Sequence, residues 1–312
     1  MFNNSKFITW VEEYLFHPKT LFQKVLSFAL FPFSVVYCYV VKWKRYRGEK
    51  EKTSFKIPII SIGNLTIGGN GKTPLCIALA KEHENVAIIL RGYGRGSHGM
   101  VVVCERGQVM CDARASGDEA MLYAKSLPNV TVIVSEDRIE AIYYAKKLGA
   151  KIIFLDDGFS KSFIQKFDIL VKPNLEPKNS FCLPSGPYRE HKSLYAKANL
   201  VVTEGVDFTR HVEIVNQTPR MLLVTAISKP SRLDPYLPHN IIGKVTFKDH
   251  YMYQEQELEN LLQKHQATSI LTTQKDAVKM STFDIPLSIM MLEISITDNV
   301  KSKINAFLAL KR

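Results

Sequence analysis

One stretch limits what this chain can become: Ser61-Ile62-Gly63-Asn64-Leu65-Thr66-Ile67-Gly68-Gly69-Asn70-Gly71-Lys72-Thr73-Pro74. An apolar run, 57–62, leads into it, and a helix-compatible run, 75–81, follows it. Strand, glycine-rich turn and helix in that order build a phosphate-binding loop. Glycines let successive backbone N–H groups close around an anion because no Cβ blocks the approach. The following helix adds the positive end of its dipole. Lys72 can then reach the outer phosphates and the Thr73 hydroxyl can ligate Mg²⁺. Gly68, Gly69, Asn70, Gly71, Lys72 and Thr73 are therefore the candidate nucleotide-binding residues. The general pattern asks for glycine where Thr66 stands. A solvated turn is the plainer reading of a bare Gly-Lys-Thr, but it leaves the preceding Gly68 and Gly69 unexplained.

A length of 312 residues allows one large domain or two modest ones, and a 46% hydrophobic content supports an ordinary core. Five cysteines stand scattered with no C-x-x-C pair, which argues for reduced thiols over a disulfide frame or a zinc site. The formal net charge of +11 calls for an anionic partner without choosing among nucleotide, nucleic acid and lipid.

Residues 21–41 narrow that choice. They are apolar apart from Lys24, are interrupted by Pro32, and run into Lys42-Trp43-Lys44-Arg45-Tyr46-Arg47. The length is close to the ~20 residues that cross a bilayer. A basic, aromatic flank suits a cytoplasmic membrane interface. A spanning or re-entrant helix, a helix lying in the interface and a buried core helix all fit this pattern.

Further along, apolar runs at 86–90, 130–134, 151–155, 167–171 and 200–203 alternate with helical patterns at 117–127 and 137–148. This alternation predicts an α/β fold with a doubly wound, mostly parallel sheet of P-loop NTPase type. Ligands of such sheets sit at the carboxyl ends of the strands. Residues 100–104 and 108–111 flank Glu105-Arg106-Gly107 as a hairpin. The remaining runs predict a second, smaller α/β domain. The expected organisation is an N-terminal membrane-associated helical segment over 1–50, a P-loop core over 51–210 and the smaller domain over 211–312.

Several acidic and basic groups could carry chemistry. Asp156 and Asp157 end an apolar strand, where a carboxylate can hold Mg²⁺ beside phosphates. Asp118 and Glu119 open a helix: they either cap its first turn or position an attacking hydroxyl. Arg91 and Arg95 are either a solvated basic loop or a pair of guanidinium forks for an anion. His250, in Phe247-Lys248-Asp249-His250-Tyr251, reads first as a structural histidine. Thr273-Gln274-Lys275-Asp276 either caps a helix or touches a nucleotide.

Taken together, these motifs resemble the tetraacyldisaccharide 4′-kinases of the lipid A pathway. The matching stretches are 63–74, 91–95, 117–119, 156–159, 186–190, 247–251 and 272–279, in the family's order. Thr66 is usual in that family. Ser160, Ala120 and Gln274 stand where glutamine, proline and glutamate are usual. The resemblance implies ATP and Mg²⁺ as cofactors, with Lys72 and Thr73 on the phosphates. It implies Asp118 as the base for a sugar 4′-hydroxyl, with His250 tuning it and Lys72 completing the catalytic set. Thr73, Glu119, Asp156 and Asp157 would serve the metal. Arg91, Arg95, Arg189 and Glu190 are the substrate or phosphate candidates. The acceptor would be an acylated disaccharide phosphate at the cytoplasmic face of a bacterial inner membrane. No nucleic acid and no obligate protein partner are expected. A P-loop kinase or GTPase acting on a soluble substrate, and a basic module using nucleotide only as a switch, are the alternatives.

Overall fold

Parallel strands buried on both faces need continuous apolar sequence, and three such runs fix the centre of the fold. Strands β1 (Ile59–Gly63), β2 (Val86–Leu90) and β6 (Ile152–Asp156) are buried at every position. They belong to an eight-stranded sheet in the computed structural model, which describes residues 4–69 and 71–311. The other members are β3 (Val101–Glu105), β4 (Gln108–Val109), β5 (Thr131–Val134), β7 (Phe167–Lys172) and β8 (Leu200–Thr203). The order is β4-β3-β5-β2-β6-β1-β7-β8. β2 pairs in parallel with β5 and β6, and β7 with β1 and β8, while β3 runs antiparallel to β5. The β3–β4 hairpin turns on Arg106 and Gly107, both at positive φ.

A second sheet has the order β11-β10-β12-β13-β9. Its strands are β9 (Phe208–Val215), β10 (Met221–Thr225), β11 (Ile241–Thr246), β12 (Ser269–Thr273) and β13 (Leu287–Ile296). Side chains alternate across it: Leu222, Val224 and Ile270 join one core, and Met221, Leu223 and Leu271 join another. β9 falls where the sequence suggested only a boundary.

The helices are α1 (Asn4–Phe16), α2 (Leu21–Ala29), α3 (Phe31–Lys50), α4 (Lys72–Ala80), α5 (Ala113–Ser116), α6 (Asp118–Ser126), α7 (Arg138–Lys147), α8 (Glu255–His265), α9 (Gln274–Ala277) and α10 (Asp298–Ala309). Chain contacts group into two compact units. One comprises the chain up to Lys72, Asp157–Asp207 and the chain from Lys303; the other comprises Thr73–Asp156 and Phe208–Ser302.

The apolar N-terminal segment is two helices, α2 and α3, bent by 50° at a break. Pro32 lies in the first turn of α3, where its missing N–H is tolerated, so a new helix starts there. Among the described residues no single helix is long and apolar enough to cross a membrane, though this bent pair passes the test of length and composition together. The two helices turn polar groups inward. Gln23, Ser27, Ser34 and Arg45 are buried, while Phe22, Phe28, Phe33, Val36 and Tyr39 are exposed. That inversion rules out the core-helix reading. The inward polar groups are matched: Ser27 donates to the Ser185 carbonyl at 2.7 Å, Ser34 to the Cys182 carbonyl at 2.9 Å, and Tyr37 to the Arg189 carbonyl at 3.1 Å.

Candidate active site

The glycine-rich loop leaves β1 and enters α4 as expected, with Gly68 and Gly71 at positive φ. Asn70 lies outside the described residues. Thr66 is fully buried and forms a bridge with Tyr188, and neighbouring Ile67 donates its N–H to the Pro187 carbonyl at 2.9 Å. This segment is pinned in extended form against residues 187–188, so it needs no glycine. The departure at Thr66 thus has a local cause.

Lys72 is held by two oxygens. It donates to Asn64 Oδ1 at 2.9 Å and lies 3.7 Å from Asp157. Arg189 grips Asp157 with a two-pronged bond, 2.9 Å on each side, and also reaches the Asn64 carbonyl at 3.0 Å. Asp157 itself sits at φ 52, a conformation seldom taken by residues other than glycine, asparagine and aspartate. Asn64, absent from the sequence-based candidates, is the hub that joins Lys72 to Arg189. Glu190 is only 8% exposed and accepts both prongs of Arg45, at 2.7 and 2.9 Å.

Thr73 and Asp156 form a second pair, with the Thr73 hydroxyl 3.5 Å from Asp156 Oδ2. The same oxygen accepts the Tyr123 phenol at 2.8 Å. Burial pushes the Tyr123 hydroxyl well above its usual pKa, with Asp156 and Cys76 adding to the effect, so it stays a donor. A threonine hydroxyl beside one carboxylate suits Mg²⁺, which takes few protein ligands and completes its shell with phosphate oxygens and water. Among the described residues no three His, Cys, Asp or Glu groups form a ready-made cage.

Asp118 is the first residue of α6, and Gly117 is its N-cap. Gly117 has φ 85 and its α-carbon faces the Tyr93 carbonyl, so a side chain there would be both strained and crowded. The Asp118 carboxylate is nearly enclosed. Both of its oxygens lie 3.0 Å from His250 Nδ1, and one lies 3.6 Å from the Lys275 and Lys279 amines. Burial raises the Asp118 pKa, but the His250 hydrogen bond and the two lysines more than offset it, holding the group below the usual carboxylate range. The His250 imidazole is raised, chiefly by its bond to Asp118, against burial and Lys275. Both shifts favour the charged forms, a carboxylate facing an imidazolium. His250 adopts φ 61, its ring lies 5.3 Å from that of Tyr93, and a Cβ on Gly94 would sit 3.4 Å from it.

The loop over 91–95 therefore seats the histidine. Arg95 is nearly buried and donates to Glu136 at 2.5 Å and to the Gly99 carbonyl at 2.6 Å, while Arg91 is exposed. Glu119 lies 3.6 Å from Lys275. The lysines owe their position to Asp276, which is fully buried. It accepts from Thr225 at 2.8 Å and Thr273 at 3.0 Å, and pairs with Lys279 at 2.9 Å. Thr273 caps α9. Gln274 accepts the Leu292 N–H at 2.8 Å, so its amide joins α9 to β13. Asn64, Tyr123 and Lys279 are neighbours of these groups that sequence reasoning did not single out, while Lys275 and Asp276 belong to the Thr-Gln-Lys-Asp stretch, whose helix-cap reading fits Thr273.

A glycine-rich loop from a parallel sheet into a helix, a Thr–Asp oxygen pair and an ionised, cation-ringed aspartate define a phosphotransferase of the P-loop class. The family described as Tetraacyldisaccharide-1-P 4′-kinase (LpxK) matches residues 26–310. Curated relatives named tetraacyldisaccharide 4′-kinase include those of Aliarcobacter butzleri, 51% identical with 96% of each chain covered, and Helicobacter pylori, 46% identical over 96% and 95%. A third, from Campylobacter jejuni, is 44% identical over 96% of each. A crystal structure of LpxK from Aquifex aeolicus in complex with ATP superposes with a TM-score of 0.74 at 25% identity, covering 91% of this chain and 99% of that one. The chain belongs to the tetraacyldisaccharide-1-phosphate 4′-kinase family.

Proposed function

We propose that the chain transfers the γ-phosphate of ATP to the 4′-hydroxyl of a tetraacyldisaccharide 1-phosphate, with Asp118 accepting the hydroxyl proton. The observation that carries the assignment of the base is the Asp118 carboxylate, buried yet held ionised by His250, Lys275 and Lys279. In-line phosphoryl transfer passes through a loose transition state, so the acceptor needs orientation more than strong deprotonation. An ionised carboxylate fixed at two oxygens supplies that orientation and takes the proton as the new bond forms. Lys279 is enclosed and acts as a fixed counter-charge. Lys275 is the more accessible cation, beside both Asp118 and Glu119, and suits charge developing on the phosphoryl group.

Lys72, steered by Asn64 and Asp157, is assigned to the outer phosphates. Thr73 and Asp156 would hold Mg²⁺, with Glu119 and Asp157 supporting it; the metal neutralises phosphate charge when bound. Arg189 is assigned to orienting Asp157, and Arg91 to an anionic group of the substrate.

The exposed apolar face of α2 and α3 is assigned to a bilayer. Outward phenylalanines and valines with inward serines and glutamine are the arrangement that an apolar medium favours. The basic run 42–47, apart from the buried Arg45, suits an anionic leaflet and supports a site at the cytoplasmic face of the inner membrane. The soluble-substrate alternative is not favoured, since the relatives matched over nearly the whole chain carry the lipid-kinase name. Incubation with labelled ATP and a disaccharide-1-phosphate lipid tests the assignment. A product phosphorylated at the 4′ position is expected; transfer to deacylated sugars with equal efficiency would refute the lipid preference.

A further inference from the structure

Glu190 adjoins Arg189, and a carboxylate so placed invites assignment to substrate or metal. Its surroundings assign it elsewhere. Arg45 sends Nε to Glu190 Oε2 at 2.7 Å and Nη2 to Oε1 at 2.9 Å, so both carboxylate oxygens are engaged by one guanidinium. Each of the two residues is only 8% exposed. Arg45 Nη2 also donates to the Phe159 carbonyl at 3.0 Å, and its guanidinium carbon lies 4.2 Å from the centre of the Phe159 ring.

The two residues that Arg45 holds are informative by their places in the chain. Glu190 directly follows Arg189, and Phe159 lies two residues after Asp157. Arg189 and Asp157 are the two halves of the bridge that faces Lys72. One buried guanidinium thus clamps both strands of chain that carry this bridge. The clamp is itself anchored: the Ser162 hydroxyl donates to the Arg45 carbonyl at 3.1 Å, and Tyr37, two turns earlier on α3, donates to the Arg189 carbonyl at 3.1 Å. The Arg189 N–H donates to the Leu65 carbonyl at 2.7 Å, so the same segment is tied to the entry of the phosphate loop.

We propose that Arg45 is a positioning residue for the nucleotide site, acting through Glu190 and Phe159 to fix the Arg189–Asp157 bridge and, through it, Lys72. Glu190 then contacts neither substrate nor metal. The inference rests on the assignment of Lys72 to ATP phosphates made above. A lysine at position 45 cannot reproduce the fork, because a single ammonium cannot engage two carboxylate oxygens and a carbonyl in the same plane.

The test is steady-state kinetics of the full-length enzyme in detergent with Mg·ATP and the lipid acceptor varied separately. The proteins are wild type, Arg45→Lys, Glu190→Gln and the double variant, each checked for folding by circular dichroism. Both single variants are expected to raise the KM for ATP about tenfold, equivalent to about 1.4 kcal/mol, with the KM for the acceptor within twofold of wild type. The double variant should be no worse than the worse single one, since both changes break the same link. Glu190→Gln is nearly isosteric and carries the test alone if Arg45→Lys does not fold. Wild-type ATP dependence in the folded variants, or an equal rise in both KM values, would overturn the inference while leaving the function intact. A wild-type enzyme without saturable ATP dependence would overturn the assignment of Lys72, and this inference with it.

Discussion

Asp118 sits among His250, Lys275 and Lys279, which favour its charged form. Its folded pKa lies below the ordinary carboxylate value, so the stabilisation from its charged form is present above that value and lost as pH falls through the folded one. The His250 pKa is raised, so its contribution is present below the ordinary imidazole value and lost as pH rises through the folded one. The ion pair is therefore intact between the two. His250→Ala removes the hydrogen bond while leaving the carboxylate buried, so the acidic limb of the kcat/KM profile should move to higher pH; an unmoved limb would mean that histidine does not tune the aspartate. Asp276→Ala removes the nearer of the two counter-charges of enclosed Lys279, leaving Asp118 at 3.6 Å, and should destabilise the fold by about 3 kcal/mol, read from urea unfolding. Lys72 and Thr73 stood out as candidates because a phosphate-binding loop demands those residue types after its glycines, whereas Asp118 read equally as a helix cap and took its proposed role from the family resemblance alone. Asn64 was not legible, since it acts through Arg189, 125 residues away, and of Asp276 only the local cap with Thr273 was readable, not its contact with Thr225.

Among the elements, α6 joins two halves of the chemistry. It carries Asp118 in its first turn and Tyr123 further along, and Tyr123 steadies the Asp156 oxygen that faces Thr73. Loss of an outer hydrogen bond to a metal-binding carboxylate commonly costs tenfold or more in metal affinity. Tyr123→Phe should thus raise the Mg²⁺ concentration for half-maximal activity about tenfold, with the thermal midpoint showing whether packing is preserved. Helices α2 and α3 display the opposite logic, polar inward and apolar outward. Val36→Asp, on the outward face, should weaken binding to anionic vesicles without loss of helical circular dichroism; undiminished binding would move the lipid contact elsewhere. Pro32 made the break between these helices foreseeable. The inversion of their faces was not, because apolar periodicity alone does not say which side meets protein. β9 gives no apolar run to read: Phe208, Arg210, Val212 and Ile214 alternate with the more exposed Thr209, His211 and Glu213, and an arginine sits on the less exposed side.

At the scale of the molecule, the alternation of strands and helices made the large parallel sheet legible, while the makeup of the two compact units was not. Their segments interleave along the chain, so no continuous run of sequence corresponds to either one. The net charge of +11 belongs to this scale too. Screening shortens from about 10 Å at 0.1 M salt to about 3 Å at 1 M, so added salt should weaken attachment to anionic vesicles while apolar attachment persists. All of these features serve one claim, that Asp118 takes the proton of the acceptor hydroxyl. The direct measurement compares wild type and Asp118→Asn for transfer of labelled phosphate from ATP to the disaccharide-1-phosphate lipid, with ATP affinity measured on the same samples. The account predicts that transfer falls by at least about a hundredfold while ATP affinity stays within a few-fold. Near-wild-type transfer by the folded variant would contradict it.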